Sequence, residues 1–252
     1  MPLNVKNLKI SFTTGKSVTE GVSFKIDRGE MLALVGSSGA GKTTVCRAVM
    51  GLLGSDFEAQ GEVYFNETEL LAAPKKQLLK IYGKEICFIM QNPMTAFNPS
   101  IPVGRQMAKT YQRHNLKLPR AEIAGRCEEA MYSLGLTDTK RILKSYPFEL
   151  SGGMLQRLMI ATALINKPQI LVADEATTAI DACNRMELIR QLKKLCTQGL
   201  SILFVTHDLC AAANSDKMLV MDKGRVIEAG KTADILNKSI EEYTRDFLNA
   251  AV

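Results

Sequence analysis

Histidine is scarce in this chain and cysteine never clusters. Only His114 and His207 occur in 252 residues, and the six cysteines stand apart at positions 46, 87, 127, 183, 196 and 210. No Cys-x-x-Cys spacing exists, which argues against a zinc or iron–sulfur site. Scattered thiols of this kind are expected to be reduced, small apolar fillers of a core. His114 stands in a polar helical stretch and is expected to face solvent. No run of about 18 apolar residues occurs, so no segment is expected to cross a membrane. Met1-Pro-Leu-Asn-Val-Lys6 reads as the start of a strand and lacks the pattern of a secretory signal, which sets the expectation of a cytoplasmic location. Internal repeats and low-complexity tracts are lacking too. The net charge of +6 comes from dispersed basic residues, with small pairs at Lys75-Lys76 and Lys193-Lys194. Such a distribution describes solvated faces, and it would also suit a peripheral seat under an anionic membrane.

What the chain does have is apolar residues, 46% of the total, enough for a large core in one domain of this length. They fall into two regimes. Up to about residue 90, and again from about residue 168, short apolar runs alternate with turns and helical stretches. That is the pattern of an α/β fold with a parallel sheet. Between about 92 and 157 the pattern is helical, punctuated by Pro93, Pro99, Pro102 and Gly104. The expected division is an α/β core of residues 1–91 and 158–252 with a helical subdomain inserted at about 92–157. Met90, Met94, Met107, Met131, Met154 and Met159 lie in or beside the insertion. Core filling is the ordinary role of such residues, and an adaptable docking groove is the alternative.

The chemistry begins at Gly36-Ser37-Ser38-Gly39-Ala40-Gly41-Lys42-Thr43, with Thr44 behind it. The run Met31–Val35 before it reads as a strand, and Val45–Leu53 after it reads as a helix. A Gly-rich turn in that setting lets backbone N–H groups surround an anion, with the positive end of the helix dipole facing the same anion. Lys42 would reach the β- and γ-phosphates of a nucleotide, and the Thr43 hydroxyl would hold Mg²⁺. Chance supplies such a match in roughly one chain per hundred of this length. The apolar run Ile170–Ala173 ends in Asp174 and Glu175. A carboxylate at the end of a buried parallel strand can hold Mg²⁺. Glu175, pointing elsewhere, can orient or deprotonate an attacking water. Leu150-Ser151-Gly152-Gly153 opens a third element, with Ser151 placed to cap a helix whose first N–H groups stay accessible. Two anion-binding helix starts exceed what one γ-phosphate needs, so the second is expected to serve a nucleotide held by another subunit.

In this order along the chain, the motifs resemble those of the nucleotide-binding subunits of ABC transporters, over essentially the whole length. The resemblance implies a RecA-like P-loop core with an N-terminal antiparallel β subdomain and an inserted helical subdomain. It assigns Gln91 to the Q-loop, in contact with Mg²⁺ and the attacking water, and the stretch Thr178-Ala-Ile-Asp181 to the D-loop, with Asp181 crossing a dimer interface. It assigns His207 to the switch that meets the γ-phosphate, and Phe12 to stacking on adenine. It implies ATP and Mg²⁺ as cofactors. As partners it implies transmembrane permease subunits, a second ATP-binding subunit, identical or related, and indirectly an extracytoplasmic substrate-binding protein. The seat is then peripheral, on the cytoplasmic face of the membrane. One departure is Ala176, where the family usually has Pro after the glutamate; Pro would stiffen that turn.

Gln91-Asn-Pro-Met-Thr-Ala-Phe-Asn-Pro99, Tyr146–Arg157 and Glu242-Tyr-Thr-Arg-Asp-Phe-Leu248 resemble the peptide and nickel importer branch. The end at Val252 tilts the expectation toward its shorter, nickel-like members. With two histidines and dispersed cysteines the chain itself is not expected to bind transported metal tightly. The rival reading is an ABC-type ATPase acting on nucleic acid. Against it, the insertion between Gln91 and Ser151 is only about sixty residues and has no long heptad run. A non-hydrolysing regulatory subunit is a weaker rival, since Glu175 and His207 are both present.

Overall fold

The computed structural model describes residues 2–114, 119–176 and 181–250, with the backbone alone at 120, 182, 183 and 250. In chain order the elements are β1 (Leu3–Phe12), β2 (Ser17–Ile26), β3 (Met31–Gly36), α1 (Lys42–Val49), β4 (Phe57–Phe65), β5 (Thr68–Glu69), α2 (Lys75–Ile81) and β6 (Ile86–Ile89). The helical block follows as α3 (Pro93–Ala96), α4 (Val103–Gln112), α5 (Arg120–Tyr132), α6 (Thr139–Lys144) and α7 (Gly152–Leu164). The chain then returns to alternation with β7 (Ile170–Asp174), α8 (Ala182–Thr197), β8 (Ser201–Val205), α9 (Leu209–Ala212), β9 (Lys217–Asp222), β10 (Arg225–Lys231), α10 (Thr232–Lys238) and α11 (Glu242–Ala250).

Two sheets result. An antiparallel sheet of order β2-β1-β4-β5 comes from the N-terminal third. Its strand β1 buries Leu3, Val5, Leu8 and Ile10, so the period-2 alternation slips by one residue between Val5 and Leu8. A bulge there absorbs the extra residue, and Asn7 sits in it with φ 49°. The second sheet runs β10-β9-β3-β8-β7-β6 and is parallel from β9 to β6. Its central strands β3, β7 and β8 are buried at every position, which is why they read as unbroken apolar runs.

Alternate residues of those strands feed opposite layers. Leu171, Ala173, Ile202 and Phe204 face a core shared with Met107, Met131, Leu134, Leu155 and Leu158 of the helical block. Ile170, Val172, Leu203 and Val205 face a core shared with α1 and the antiparallel sheet. The sheet is thus covered on both faces, as a parallel sheet requires. Helix α7 crosses the expected division near residue 157 as one unbroken helix, packing on α3 and α5 at one side and β6 at the other.

Two local expectations need correction. The helix after the Gly-rich turn starts at Lys42 and stops at Val49, because Met50 caps it and the Gly51 N–H returns to the Ala48 carbonyl. His114 is half-buried, lying beside Gly83 just past α4; burial, then the nearby Arg113 and Lys84 charges, lower its pKa. The methionines divide: Met107 and Met131 are core, whereas Met90 and Met94 are exposed.

Phe204 is the largest fully buried side chain, in the strand that joins the two cores. Phe204→Ala is expected to lower unfolding free energy by about 3–5 kcal/mol. Denaturant titration of the purified chain checks this.

Candidate functional site

The carboxyl ends of β3, β7 and β8 bring the predicted residues together. At the end of β3, Gly36 pairs with Met221 of β9. Its φ is 145°, and a Cβ there would fall 2.0 Å from the Met221 carbonyl oxygen. Only glycine lets the chain leave the sheet at this point. Ser38 and Gly39 form an exposed rim, while Ala40 and Gly41 turn inward toward α1. The Ser37 hydroxyl donates to Asp222 Oδ1 at 3.2 Å, which ties the loop to the end of β9.

Lys42 is only 6% exposed. Its Nζ donates to the carbonyls of Gly36 and Ser37, both at 2.8 Å. The ammonium therefore folds back over its own loop. Burial lowers its pKa, against the opposing pull of Glu175 and Asp174. Next to it, Thr43 Oγ1 donates to Asp174 Oδ1 at 3.1 Å, and Thr44 is half-buried behind. Asp174 is pushed above the ordinary carboxylate range, chiefly by burial; the Thr43 hydrogen bond pulls the other way and the Glu175 charge adds to the rise.

Glu175 leaves β7 with φ 49°, a left-handed conformation costing an acidic residue on the order of 1 kcal/mol or more. Its own N–H still donates to the Val205 carbonyl at 2.9 Å. The turn aims the carboxylate away from Asp174 and into a cluster. Gln91 Nε2 donates to Glu175 Oε2 at 2.6 Å. His207 Nδ1 lies 3.4 Å from Glu175 Oε1, a distance for donation when that nitrogen carries the proton. His207 is held on a short turn whose next residue, Asp208, caps α9 and pairs with Arg185 at 2.8 Å.

The remaining predicted residues lie on other elements. Ser151 is the N-cap of α7, its Oγ accepting the Met154 N–H at 3.3 Å, with Ser151 and Gly152 exposed and open space around Gly153. No hydrogen bond joins them to the Lys42 loop among the described residues. Asp181 caps α8 by accepting the Asn184 N–H at 3.1 Å; Thr178, Ala179 and Ile180 lie outside the described residues. Phe12 ends β1 half-exposed, its ring 4.6 Å from that of Phe57. Sequence reasoning missed Asp222, and it missed Gln156 and Arg157, which bond to Ala176 and to Asn184. The available signal was a glutamine beside Leu155 on the helix that Ser151 caps, at a position now seen fully buried. A cavity of about 520 Å³ opens elsewhere, among the carboxyl ends of α7 and α8. Two of its basic residues, Arg126 and Lys167, are held by Glu129.

A Gly-rich loop between strand and helix, a Thr–Asp pair and a Gln–Glu–His cluster on one sheet edge are the features of a nucleotide-hydrolysing cassette. The chain belongs to the ABC transporter family, whose pattern matches residues 19–178, and it is an ATP-binding cassette of that family. It is 38% identical to the metal-staphylopine import system ATP-binding protein CntD of Staphylococcus aureus (strain NCTC 8325), over 98% of this chain and 92% of that one. Identity to the oligopeptide transport ATP-binding protein OppD of Escherichia coli (strain K12) is 36%, over 98% of this chain and 75% of that one. Among solved structures, the ATP-binding cassette MJ0796, dimeric and bound to ADP and phosphate, superposes with a TM-score of 0.81. The match is 26% identical and covers 91% of this chain and 98% of that one.

The raised pKa of Asp174 has a sign that can be checked. The folded state holds its proton more tightly than the unfolded state, so this group's contribution to stability falls as pH rises through the two pKa values. The penalty is absent below the ordinary Asp range and full above the raised value. Asp174→Asn in the nucleotide-free protein is therefore expected to melt higher than the parent at pH 7. The difference should shrink to nothing as pH falls below the ordinary Asp range. Thermal denaturation across pH measures it.

Proposed function

We propose that this chain is the ATP-hydrolysing subunit of an importer for metal chelates or short peptides. The Gln91–Glu175–His207 cluster beside Lys42, Thr43 and Asp174 is the observation that carries the hydrolytic part. A triphosphate entering the loop offers Lys42 better acceptors than the Gly36 and Ser37 carbonyls, so the ammonium turns outward to the β- and γ-phosphates. The backbone N–H groups of residues 37–44 cradle the phosphates. Thr43 and Asp174 present a hydroxyl and a carboxylate 3.1 Å apart, a hard-oxygen pair that fits Mg²⁺, with Gln91 as a further oxygen donor. When bound, that ion neutralises phosphate charge. Glu175 holds and deprotonates the attacking water, oriented by Gln91 and His207, and His207 also meets the γ-phosphate. Phe12, backed by Phe57, supplies a face for adenine.

Ser151, Gly152 and Gly153 are displayed away from this loop, so they serve the nucleotide of a second ATP-binding subunit, and Asp181 meets that subunit too. The dimeric cassette of similar fold supports this arrangement. No described helix is long and apolar enough to cross a membrane; transmembrane permease subunits would carry the substrate, supplied by an extracytoplasmic binding protein. The cytoplasmic face of the membrane is the seat such an assembly implies. Metal chelates and peptides are proposed because the relatives named above are import and transport proteins for those cargoes. Nickel is the narrower version. The nucleic-acid alternative has no counterpart among these relatives.

Glu175→Gln keeps the shape of the side chain and removes the base. It is expected to bind Mg-ATP and accumulate an ATP-dependent dimer, while turnover falls by roughly 10²- to 10⁴-fold. Size-exclusion with and without ATP, alongside phosphate release, measures both; near-normal turnover would assign the water to another group.

For cargo, loss of this subunit is expected to reduce cellular uptake of chelated nickel or of short peptides. Uptake of labelled nickel chelate and of labelled dipeptide in a deletion strain separates the two. Normal uptake of both, with no second ATPase able to substitute, would leave only the general transporter reading.

A further inference from the structure

The geometry points to a two-residue clamp on α7, Gln156 and Arg157, that holds Ala176, the residue after Glu175, and Asn184 in the first turn of α8, and so couples the partner-facing helix to the hydrolytic carboxylate. This rests on the ATPase reading above and adds two positioning residues to it.

Gln156 is fully buried, as are Leu155, Leu158 and Ile160 of the same helix. Its Nε2 donates to the carbonyl of Ala176, and its Oε1 is buried with no hydrogen-bond partner. A methionine would fill the same volume without burying an unpaired acceptor. The amide is therefore explained by its bond to residue 176. That carbonyl directly follows Glu175, whose left-handed turn aims the carboxylate at Gln91 and His207. Holding the carbonyl holds the exit of that turn.

Arg157 holds the first turn of α8. Its Nη2 donates to Asn184 Oδ1 at 3.4 Å, and Asn184 donates from its backbone N–H and its Nδ2 to the Asp181 carboxylate at 3.1 and 2.8 Å. Arg157 Nη1 donates to the Leu134 carbonyl at 2.9 Å and to Gln191 Oε1 at 3.0 Å. Gly135 leaves room for this fork: a Cβ there would stand 3.2 Å from Arg157 Nη1 and 3.0 Å from Gln191 Nε2. Among the described residues Arg157 makes no ion pair, so the guanidinium is used here for its planar array of donors.

Both side chains are rooted five and six residues beyond Ser151, on the same helix that Ser151 caps. A shift of α7 when Ser151–Gly153 engage the partner's nucleotide must move Ala176 and Asn184 with it, or break these bonds. The clamp thereby makes the aim of Glu175 depend on engagement of the second subunit.

The test uses the full chain with Mg-ATP and its partner subunits, and compares Gln156→Met, Arg157→Lys, Arg157→Met and the double variant Gln156→Met/Arg157→Lys. Binding of a fluorescent ATP analogue to the isolated chain counts competent protein, and kcat and KM are normalised to it. Each single variant is expected to lose roughly 10- to 100-fold in kcat with analogue affinity within about twofold of the parent. Arg157→Lys should fall as far as Arg157→Met, because the donor fork and not the charge is used. The double variant should fall little further than the worse single one, since both residues act on the aim of one carboxylate. A normalised kcat within about twofold of the parent, or losses that only track lost nucleotide binding, would overturn the clamp while leaving an active parent as support for the ATPase reading. A parent that binds ATP in the assembled complex and never hydrolyses it would overturn both.

Discussion

Strand register between β3, β8 and β7 governs the site. Val205 pairs with Leu34 on one side and Asp174 on the other. The three strands therefore end at nearly the same level. Two residues past Leu34 is Gly36, where the phosphate loop begins; the residue after Asp174 is Glu175; two residues past Val205 is His207. A slip of one residue between β7 and β8 would turn Asp174 toward the opposite layer and separate Glu175 from His207, and one between β3 and β8 would displace the Gly36 loop from both. Register is secured because each strand feeds two cores at once. Leu171 and Phe204 pack on one side of the sheet, and Val172 and Leu203 on the other. The apolar packing of both faces is thus what aligns the polar groups at the edge.

Those groups are in tension when no nucleotide is bound. Burial lowers the pKa of Lys42 and raises that of Asp174, each a mark that the charged form is disfavoured there. Lys42 compensates by donating to two carbonyls of its own loop, and Asp174 by accepting from Thr43. Phosphate and a divalent cation would supply the missing counter-charges. The arrangement is consistent with a site whose charges are set for a ligand at some expense of stability without one.

Much of this was legible in the sequence for a physical reason. The Gly-rich loop, the β7 run ending in Asp174 and the Ser151 cap are local: neighbouring residues define their backbone geometry, so short motifs report them. The fully buried strands were equally plain as continuous apolar runs. What the residues alone did not show is long-range. Asp222 holds Ser37 across 185 positions, and Gln156 reaches a carbonyl 20 positions away. No spacing rule predicts either contact. The end of α1 was missed because apolar residues continue to Leu53, while a backbone bond from Gly51 ends the helix earlier. His114 was misplaced since its cover comes from Gly83, on another element.

The same separation applies to the two unlike halves of the nucleotide site proposed above. The Lys42 loop and the Glu175 cluster are built by the parallel sheet, a rigid body buried on both faces. Ser151 is built by α7, which belongs to the helical block at its start and packs on β6 farther along. An element shared by both layers can report on one while acting on the other. Two consecutive side chains, one buried amide and one guanidinium, link it to Ala176 and to Asn184 of α8. A buried hydrogen bond is directional and costly to leave unmade. Placing the polar links at that one point of α7 concentrates its influence on the turn that aims the carboxylate.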